Sequence, residues 1–243
     1  MMSFLTLQIY LILSVLIGGV MVSYLKATHK VQIIKLTLAF SGGFLLVIIF
    51  QHLIPDLYQH GFKNSGLFIL LGFLVQLILE YFSGGIEHGH THSRSSSRIP
   101  LTLFVALSIH SVIEGFPLGG AYGGRYVSHM GHQHESLFWG IIFHQIPVAI
   151  ALMTLFLNSS MGMLKSWFFL VLFALTTPLG VVLGMQFNPE QFGLNIHVIL
   201  AVVVGMFLHI STTIIFETSE NHRVNLLKLV SILLGGGLAM LLS

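Results

Sequence analysis

The sequence predicts an all-α polytopic membrane protein with eight transmembrane helices. Only 7% of its 243 residues are Asp, Glu, Lys or Arg, against about 25% in soluble domains, and its mean hydropathy is +0.91. This leaves too little polar surface to cover a water-soluble globule. Apolar runs of about 20 residues, the length that spans a bilayer, recur along the chain. They cover residues 4–25, 36–58, 65–83, 99–121, 136–157, 163–186, 194–216 and 226–242.

The basic residues predict how these spans are oriented. Lysine and arginine accumulate in cytoplasmic loops, and most of them fall in inside loops if both termini lie outside. The first run has no basic residue before it and is followed by Lys26, so we expect a retained span and not a cleaved signal peptide. The chain is therefore predicted to be one transmembrane domain over residues 1–243, with a His-rich inside loop at 84–98. The inside residues are Lys26, Lys30, Lys35, Arg94, Arg98, Lys165, Arg223 and Lys228.

Composition excludes several classes of function. The chain has no cysteine, which removes thiolate metal sites, cysteine nucleophiles and disulfides. Its formal net charge is only +2, too small to predict binding to nucleic acid. It keeps fourteen histidines. Three of them, His88, His90 and His92, alternate in the inside loop, where such a tract either gathers divalent cations weakly or only solubilises the loop.

The fourth span contains the strongest candidate site. His110 and Glu114 lie near the middle of this apolar run, where an acid costs about 2.5–3.5 kcal/mol on insertion scales. Four residues advance an α-helix by about 400°, so both side chains point from one face. An imidazole and a carboxylate on one face can bind a divalent cation together. The alternative is a hydrogen bond between them that only joins helices.

The fifth span adds a second histidine beside a proline. His144 and Gln145 precede Pro147, whose ring has no N–H and clashes with the carbonyl four residues back. The carbonyl of Phe143 therefore loses its helical partner, and Pro117 has the same effect in the fourth span. Transporters place ion sites at discontinuous helices near the midplane. The two prolines thus predict interruptions beside the site, and ordinary kinks are the alternative.

Further polar residues mark the two ends of the predicted path. His52 and Asp56 end the second span near the outer surface, as either an entrance site or a pair within reach of water. His209, in the seventh span, predicts a hydrogen-bonded helix contact more than a ligand. Glu217 follows at the inner end and, with the histidine loop, would attract cations to the inner mouth. Glu80, in the last turn of the third span, is predicted to be a solvated end residue.

Two segments together carry a resemblance to a known family. The fourth span contains S-I-H-S-V-I-E-G-F-P-L-G and the fifth H-Q-I-P-V-A-I-A-L, and the pair resembles the ZIP (Zrt/Irt-like) family of divalent-metal transporters. Weaker similarity extends to Q-H-L-I-P-D, T-T-P-L-G-V-V-L-G and G-M-F-L-H-I-S in other spans. The resemblance implies transport of zinc or a similar cation into the cytoplasm. It also implies a 3+2+3 arrangement, with central fourth and fifth helices and an inverted repeat of the outer triplets.

The resemblance further implies a ligand set. Ser111 stands where the family usually has Asn, and Val148 stands where the fifth span usually supplies a second Glu or a His. The family's usual site can hold two metals bridged by carboxylates, so losing one carboxylate and one amide predicts a single-metal site. Gln145, Ser111, a freed carbonyl or water could complete its shell. The family's metal-binding positions are occupied here by His110, Glu114 and His144.

The expected substrate is Zn²⁺, and ligands of this kind also accept Fe²⁺, Mn²⁺ or Cd²⁺. No tightly bound cofactor is expected. The expected partners are divalent cations and the lipid bilayer, and the sequence leaves a homodimer open. The compact loops favour a plasma membrane or a bacterial inner membrane. The alternative function is an intramembrane metal-dependent hydrolase, although the chain has no H-E-x-x-H motif.

Overall fold

The computed structural model describes residues 3–24, 27–59, 64–83, 101–122, 131–187, 196–217 and 226–242. Every regular element within these ranges is helical, which confirms the predicted all-α class. A π-helical turn, Ile49–Leu53, joins α2 to α3. The helices are α1 (Phe4–Tyr24), α2 (Ala27–Ile48), α3 (Ile54–Gln59), α4 (Ser65–Ser83), α5 (Leu101–Tyr122), α6 (Gly131–Asn158), α7 (Gly162–Ala174), α8 (Thr176–Gln186), α9 (Ile196–Glu217) and α10 (Leu226–Leu241).

These helices form the predicted polytopic membrane architecture. Within the described ranges, 7 helical segments are long and apolar enough to cross a membrane, and α10 is a shorter apolar helix of 16 residues. Most predicted spans agree with the observed helices to within about two residues. The second and fifth spans begin earlier than predicted, at Ala27 and Gly131. The helix of the second span begins before its apolar run and includes polar residues such as Lys30 and Lys35. Hydropathy alone does not assign these residues to the helix.

The predicted interruptions at Pro117 and Pro147 are wrong. Both prolines lie inside helices, α5 and α6, that remain continuous on either side of them. A proline removes one backbone hydrogen bond, but packing against neighbouring helices holds the rest of a transmembrane helix together. The candidate ligands therefore project from two continuous helices and not from broken ones.

Two spans are interrupted elsewhere, each time beside another proline. In the second span the Ile54 N–H bonds to the Ile49 carbonyl, five residues back, just before Pro55. In the sixth span α7 ends at Ala174 and α8 begins two residues later. Pro178 has no N–H to donate to the Ala174 carbonyl, so the α-helical pattern cannot run through this point undisturbed.

The helices pack most extensively in four pairs: α1 with α6, α5 with α8, α2 with α10, and α4 with α9. Glycines permit the closest of these contacts. In α5, Gly115 and Gly119 are four residues apart, as are Gly180 and Gly184 in α8. A Cβ atom on any of these four glycines would overlap a carbonyl oxygen of the partner helix. Small residues at this spacing let transmembrane backbones approach closely, so the backbones of α5 and α8 are in direct contact.

The four helix pairs are related to one another by a simple exchange of spans. The first, second and third spans exchange with the sixth, seventh and eighth, and the fourth exchanges with the fifth. This exchange converts the α1–α6 pair into the α8–α5 pair, and the α2–α10 pair into the α9–α4 pair. It is the pairing that an inverted repeat of the two triplets would produce. Such a repeat was implied by the family resemblance and is not evident in the sequence itself.

The bundle interior contains two apolar clusters separated by a polar layer. One cluster includes Leu11, Phe44, Leu118 and Val181. The other cluster includes Val15, Leu38 and Leu107, which lie on the same helices α1, α2 and α5 but at a different depth. Between the two, five helices contribute buried polar side chains, which we call the polar layer. Its members are Ser14, Ser41, His110, Glu114, His144, Gln145 and Thr177.

Candidate metal centre

The core of the polar layer is the pair predicted in the fourth span. Helix α5 presents His110 and Glu114 from one face, and the His110 Nε2 atom lies 2.9 Å from the Glu114 Oε2 atom. Their side chains are only 3% and 1% exposed. The prediction that four-residue spacing brings these two groups together is confirmed.

Helix α6 brings His144 to the same place. The imidazole rings of His110 and His144 are 5.9 Å apart between centroids and nearly perpendicular, at 79°. Each of the three side chains offers one ligand atom, and these atoms all lie within 4.8 Å of one another. Three buried groups from α5 and α6 therefore converge on one point. We call them the His–Glu–His cluster.

The size of the cluster suits a metal ion with small adjustments. A tetrahedral Zn²⁺ ion with bonds of about 2.0–2.2 Å separates its ligand atoms by about 3.3–3.6 Å. The His110 and Glu114 atoms, 2.9 Å apart, would separate slightly. The more distant ligand atoms, within 4.8 Å of one another, would converge by no more than about 1.5 Å. Two imidazole nitrogens and one carboxylate oxygen suit Zn²⁺ and leave a fourth position for another donor. The cluster is thus a candidate three-ligand centre.

Neighbouring helices contact the outer side of each imidazole. Gln76 of α4 accepts a hydrogen bond from His110, with 2.9 Å between its Oε1 atom and Nδ1. The Ser41 hydroxyl of α2 lies 3.4 Å from the His144 Nδ1 atom. Phe207 of α9 packs edge-on against both rings, at centroid distances of 6.5 and 6.3 Å. Both histidines are therefore held in place from outside the cluster.

Gln145, predicted as a further ligand, is buried next to the cluster. Its Oε1 atom accepts a hydrogen bond of 2.8 Å from the Ser14 hydroxyl, and its Nε2 atom donates to the Thr177 hydroxyl. These contacts join α1, α6 and α8 through one amide. To bind a metal, the amide oxygen would use its second lone pair, since Ser14 occupies the first. Ser111, the other predicted donor, is buried beside His110 on α5.

The predicted outer pair lies apart from the cluster. His52 is in the π-helical turn and Asp56 is in α3. Asp56 is only 1% exposed, so the interpretation of this pair as water-exposed is wrong for the carboxylate. Helix α3, which carries Asp56, packs against α9. An acid buried at membrane depth is costly unless it is compensated, which keeps Asp56 as a functional candidate.

The residues predicted at the inner end of the path include His209, which pairs with another helix. The His209 Nε2 atom lies 2.5 Å from the Glu80 Oε2 atom, and the His209 ring packs edge-on against Phe73. His209 is thus a hydrogen-bonded helix contact, as predicted, and the prediction that Glu80 is a solvated end residue is wrong. Glu217 ends α9, but its side chain lies outside the described part of the structure. The loop histidines His88, His90 and His92 also lie outside the described residues.

Sequence reasoning missed the groups that surround the cluster. Gln76, Ser41, Ser14 and Thr177 are all buried polar residues within apolar helices. Gln76 is the one that could have been found, since it is a lone amide in the apolar run L-L-G-F-L-V-Q-L-I-L-E. Polar residues within a span are functional candidates by default. The hydroxyl residues carry no comparable signal, because serine and threonine often bond their own helix backbone.

Comparisons with known proteins agree on one family. A family model described as "ZIP Zinc transporter" matches residues 87–243. The chain is 32% identical over 160 residues to zinc transporter ZIP3 of Bos taurus, covering 61% of this chain and 48% of that protein. It is 28% identical over 274 residues to zinc transporter ZIP3 of Homo sapiens, with coverage of 86% and 85%. It is 21% identical over 255 residues to zinc transporter 3 of Arabidopsis thaliana, with coverage of 85% and 73%. The chain therefore spans about half the length of the bovine relative and most of the other two.

Proposed function

The chain belongs to the family of ZIP zinc transporters, and we propose that it carries a divalent metal cation across the membrane into the cytoplasm. The observation that supports this function is the convergence of three buried ligand groups from adjacent helices. Such groups are costly inside a membrane and mark ion pathways. Members of this family are transporters and not enzymes, so the hydrolase alternative is set aside. Zinc uptake into liposomes that contain only the purified protein tests the proposal.

We propose that the transported ion is held singly by His110, Glu114 and His144. The set of two imidazoles and one carboxylate favours Zn²⁺, while Fe²⁺, Mn²⁺ and Cd²⁺ are also acceptable to such ligands. Gln145, Ser111 or a water molecule would complete the shell. With one carboxylate, the occupied site has a charge of about +1 for a divalent ion, which weakens retention and favours release.

Transport requires a movement of the helices, because apolar clusters lie on both sides of the polar layer. An ion in the polar layer is separated from each end of the bundle by packed apolar side chains. Helices must therefore move so that one end opens at a time around a fixed site. We propose entry past His52 and Asp56, and exit past His209, Glu217 and the histidines at 88, 90 and 92. The homodimer and the plasma or bacterial inner membrane stay predictions.

Zinc uptake is expected to fall as the pH is lowered. Metal ligands must be unprotonated, so protons compete with the ion for both imidazoles and for the carboxylate. Uptake measured from neutral to mildly acidic pH should therefore decline. The rate is measured in liposomes with equal pH on both sides, which removes any proton gradient. A rate that rises over this interval would contradict competition at these ligands.

Replacing Val148 by glutamate tests why the site should hold one ion. Val148 follows His144 by one helical turn and is only partly buried, against the second apolar cluster. A carboxylate there, combined with Ser111→Asn, supplies the two groups that the single-metal proposal counts as missing. The double variant should bind two zinc ions per chain, measured by calorimetry. The pair Ser111→Asn and Val148→Leu is the matched control and should keep one. Two ions in the unmodified protein would contradict the proposal.

A further inference from the structure

Gln76 is a buried polar side chain on α4, a helix with one exposed apolar face. Its neighbours on α4, including Leu74, Leu77 and Ile78, are exposed apolar residues, whereas Gln76 itself is fully buried. Burying an amide away from water costs about 1–3 kcal/mol in proteins unless it is hydrogen-bonded. The hydrogen bond between Gln76 and His110 is therefore the feature to explain.

That contact fixes which nitrogen of His110 carries a proton. The Gln76 Oε1 atom is 2.9 Å from the His110 Nδ1 atom. An amide oxygen can only accept a hydrogen bond, so Nδ1 is the donor. A neutral imidazole has one N–H, and with the proton on Nδ1 the other nitrogen, Nε2, keeps its lone pair.

Glu114 lies on the other side of the His110 ring. Its Oε2 atom is 2.9 Å from the His110 Nε2 atom. If the ring proton were on Nε2, that nitrogen would have no lone pair to offer a metal beside the carboxylate. With the proton on Nδ1, a lone pair and a carboxylate face each other across the cluster, an arrangement that a cation stabilises. Gln76 thus favours the tautomer of His110 that can bind a metal beside Glu114.

We propose that Gln76 is a positioning residue, which holds the His110 proton on Nδ1 and leaves Nε2 free to bind the metal together with Glu114 and His144. The proposal rests on the proposed metal-binding function of the cluster. Helix α4 supplies no member of the cluster, so Gln76 acts on the metal site through its hydrogen bond with His110. Outer partners of this kind commonly change metal affinity by about 10–100-fold.

Zinc binding to purified variants tests the effect on affinity. Gln76→Leu removes the acceptor at similar volume and should weaken zinc binding by about 10–100-fold. Gln76→Glu restores an acceptor at the same place and should bind zinc at least as tightly as the unmodified protein. Gln51→Leu, the same change at an exposed position of the second span, should leave affinity unchanged. Equal affinity in Gln76→Leu and the unmodified protein, or equal losses in Gln76→Leu and Gln76→Glu, would overturn the proposal.

The tautomer itself is measured by nitrogen NMR of metal-free protein with labelled histidine rings. The His110 signals are those lost in His110→Ala. We expect the proton on Nδ1 in the unmodified protein and a larger share of it on Nε2 in Gln76→Leu, which removes the acceptor beside Nδ1. A proton on Nε2 in the unmodified protein would overturn the proposal. A structural role of Gln76 in packing α4 would leave the tautomer unchanged.

Failure of this proposal can be told apart from failure of the metal site. If His110→Ala and Glu114→Gln bind zinc like the unmodified protein, the cluster is not the site and the proposed function of these residues fails. If both variants lose binding while Gln76→Leu keeps it in full, the site stands and only the role of Gln76 is overturned.

Discussion

Glu114→Gln is expected to abolish zinc uptake. The substitution keeps the size of the side chain but removes the single carboxylate of the His–Glu–His cluster. An amide has no negative charge to offset the ion, and half of its polar end is a donor that repels a cation. Since outer partners alone change metal affinity by about 10–100-fold, loss of a direct ligand should weaken binding by at least about 100-fold. His110→Ala removes the neighbouring ligand and should have a similar effect.

Uptake of radioactive zinc into liposomes measures this loss, with equal amounts of folded protein in each sample. The matched control is Glu135→Gln, the same substitution at an exposed residue near the start of α6. It should transport at the unmodified rate. If both Glu114→Gln and His110→Ala kept more than about half of the uptake, these residues could not be ligands of the transported ion, given the size of the expected loss.

Gly119→Ala is expected to separate α5 from α8 and destabilise the fold. A Cβ atom at this position would meet the backbone of α8, where the Met185 nitrogen is only 2.7 Å away and the Val181 carbonyl oxygen is closer still. Backbone atoms cannot move aside as a flexible side chain can, so the helices must shift. Overpacking of this kind costs about 1–3 kcal/mol, and sometimes more. His110 and Glu114 lie on α5, so a shift should also weaken zinc binding.

Thermal unfolding in detergent provides the measurement, with Gly237→Ala as the control. Gly237 is also inside a helix, but a Cβ atom there would meet nothing within 4 Å. Both substitutions gain the same helix propensity, at most about 1 kcal/mol. The melting temperature should therefore fall in Gly119→Ala and stay equal or rise in Gly237→Ala. Equal behaviour of the two variants would show that close packing of α5 on α8 is not needed.

The sequence was sufficient for the spans and for the central pair. Runs of apolar residues predict transmembrane helices because the bilayer fixes their length. The observed helices begin and end close to the predicted bounds wherever the polar flank is not helical. The approach of His110 to Glu114 is a property of one helix, and four-residue spacing determines it. The proximity of His144 came from the family resemblance, since no local rule relates α5 to α6.

The remaining contacts depend on residues that are distant in the sequence. Glu80 and His209 are 129 positions apart, and each alone could be a solvated or a paired group. Their pairing follows from the packing of α4 against α9, where Gly72 and Gly205 allow close approach. Gln76 and His110 are 34 positions apart and likewise meet only because the helices pack. Hydropathy indicates that such residues lie in the membrane, but not which other helix they face.

The continuity of α5 and α6 at their prolines has a similar cause. A proline removes one hydrogen bond by its covalent structure, and from the sequence this predicts an interruption. Whether the helix breaks depends on the neighbours that support it. Pro117 lies between Gly115 and Gly119, in the segment that packs on α8, and this contact keeps the backbone helical. The freed carbonyl groups remain, but they belong to intact helices.

The central claim is that one metal ion binds between α5 and α6, and a zinc-loaded crystal structure with anomalous scattering measured at the zinc edge tests it most directly. The account predicts a single peak in the polar layer, with zinc at about 2.0–2.2 Å from one nitrogen each of His110 and His144 and from a carboxylate oxygen of Glu114. A polar layer without zinc, with zinc bound elsewhere in the protein, or with two bridged ions at this point would contradict it.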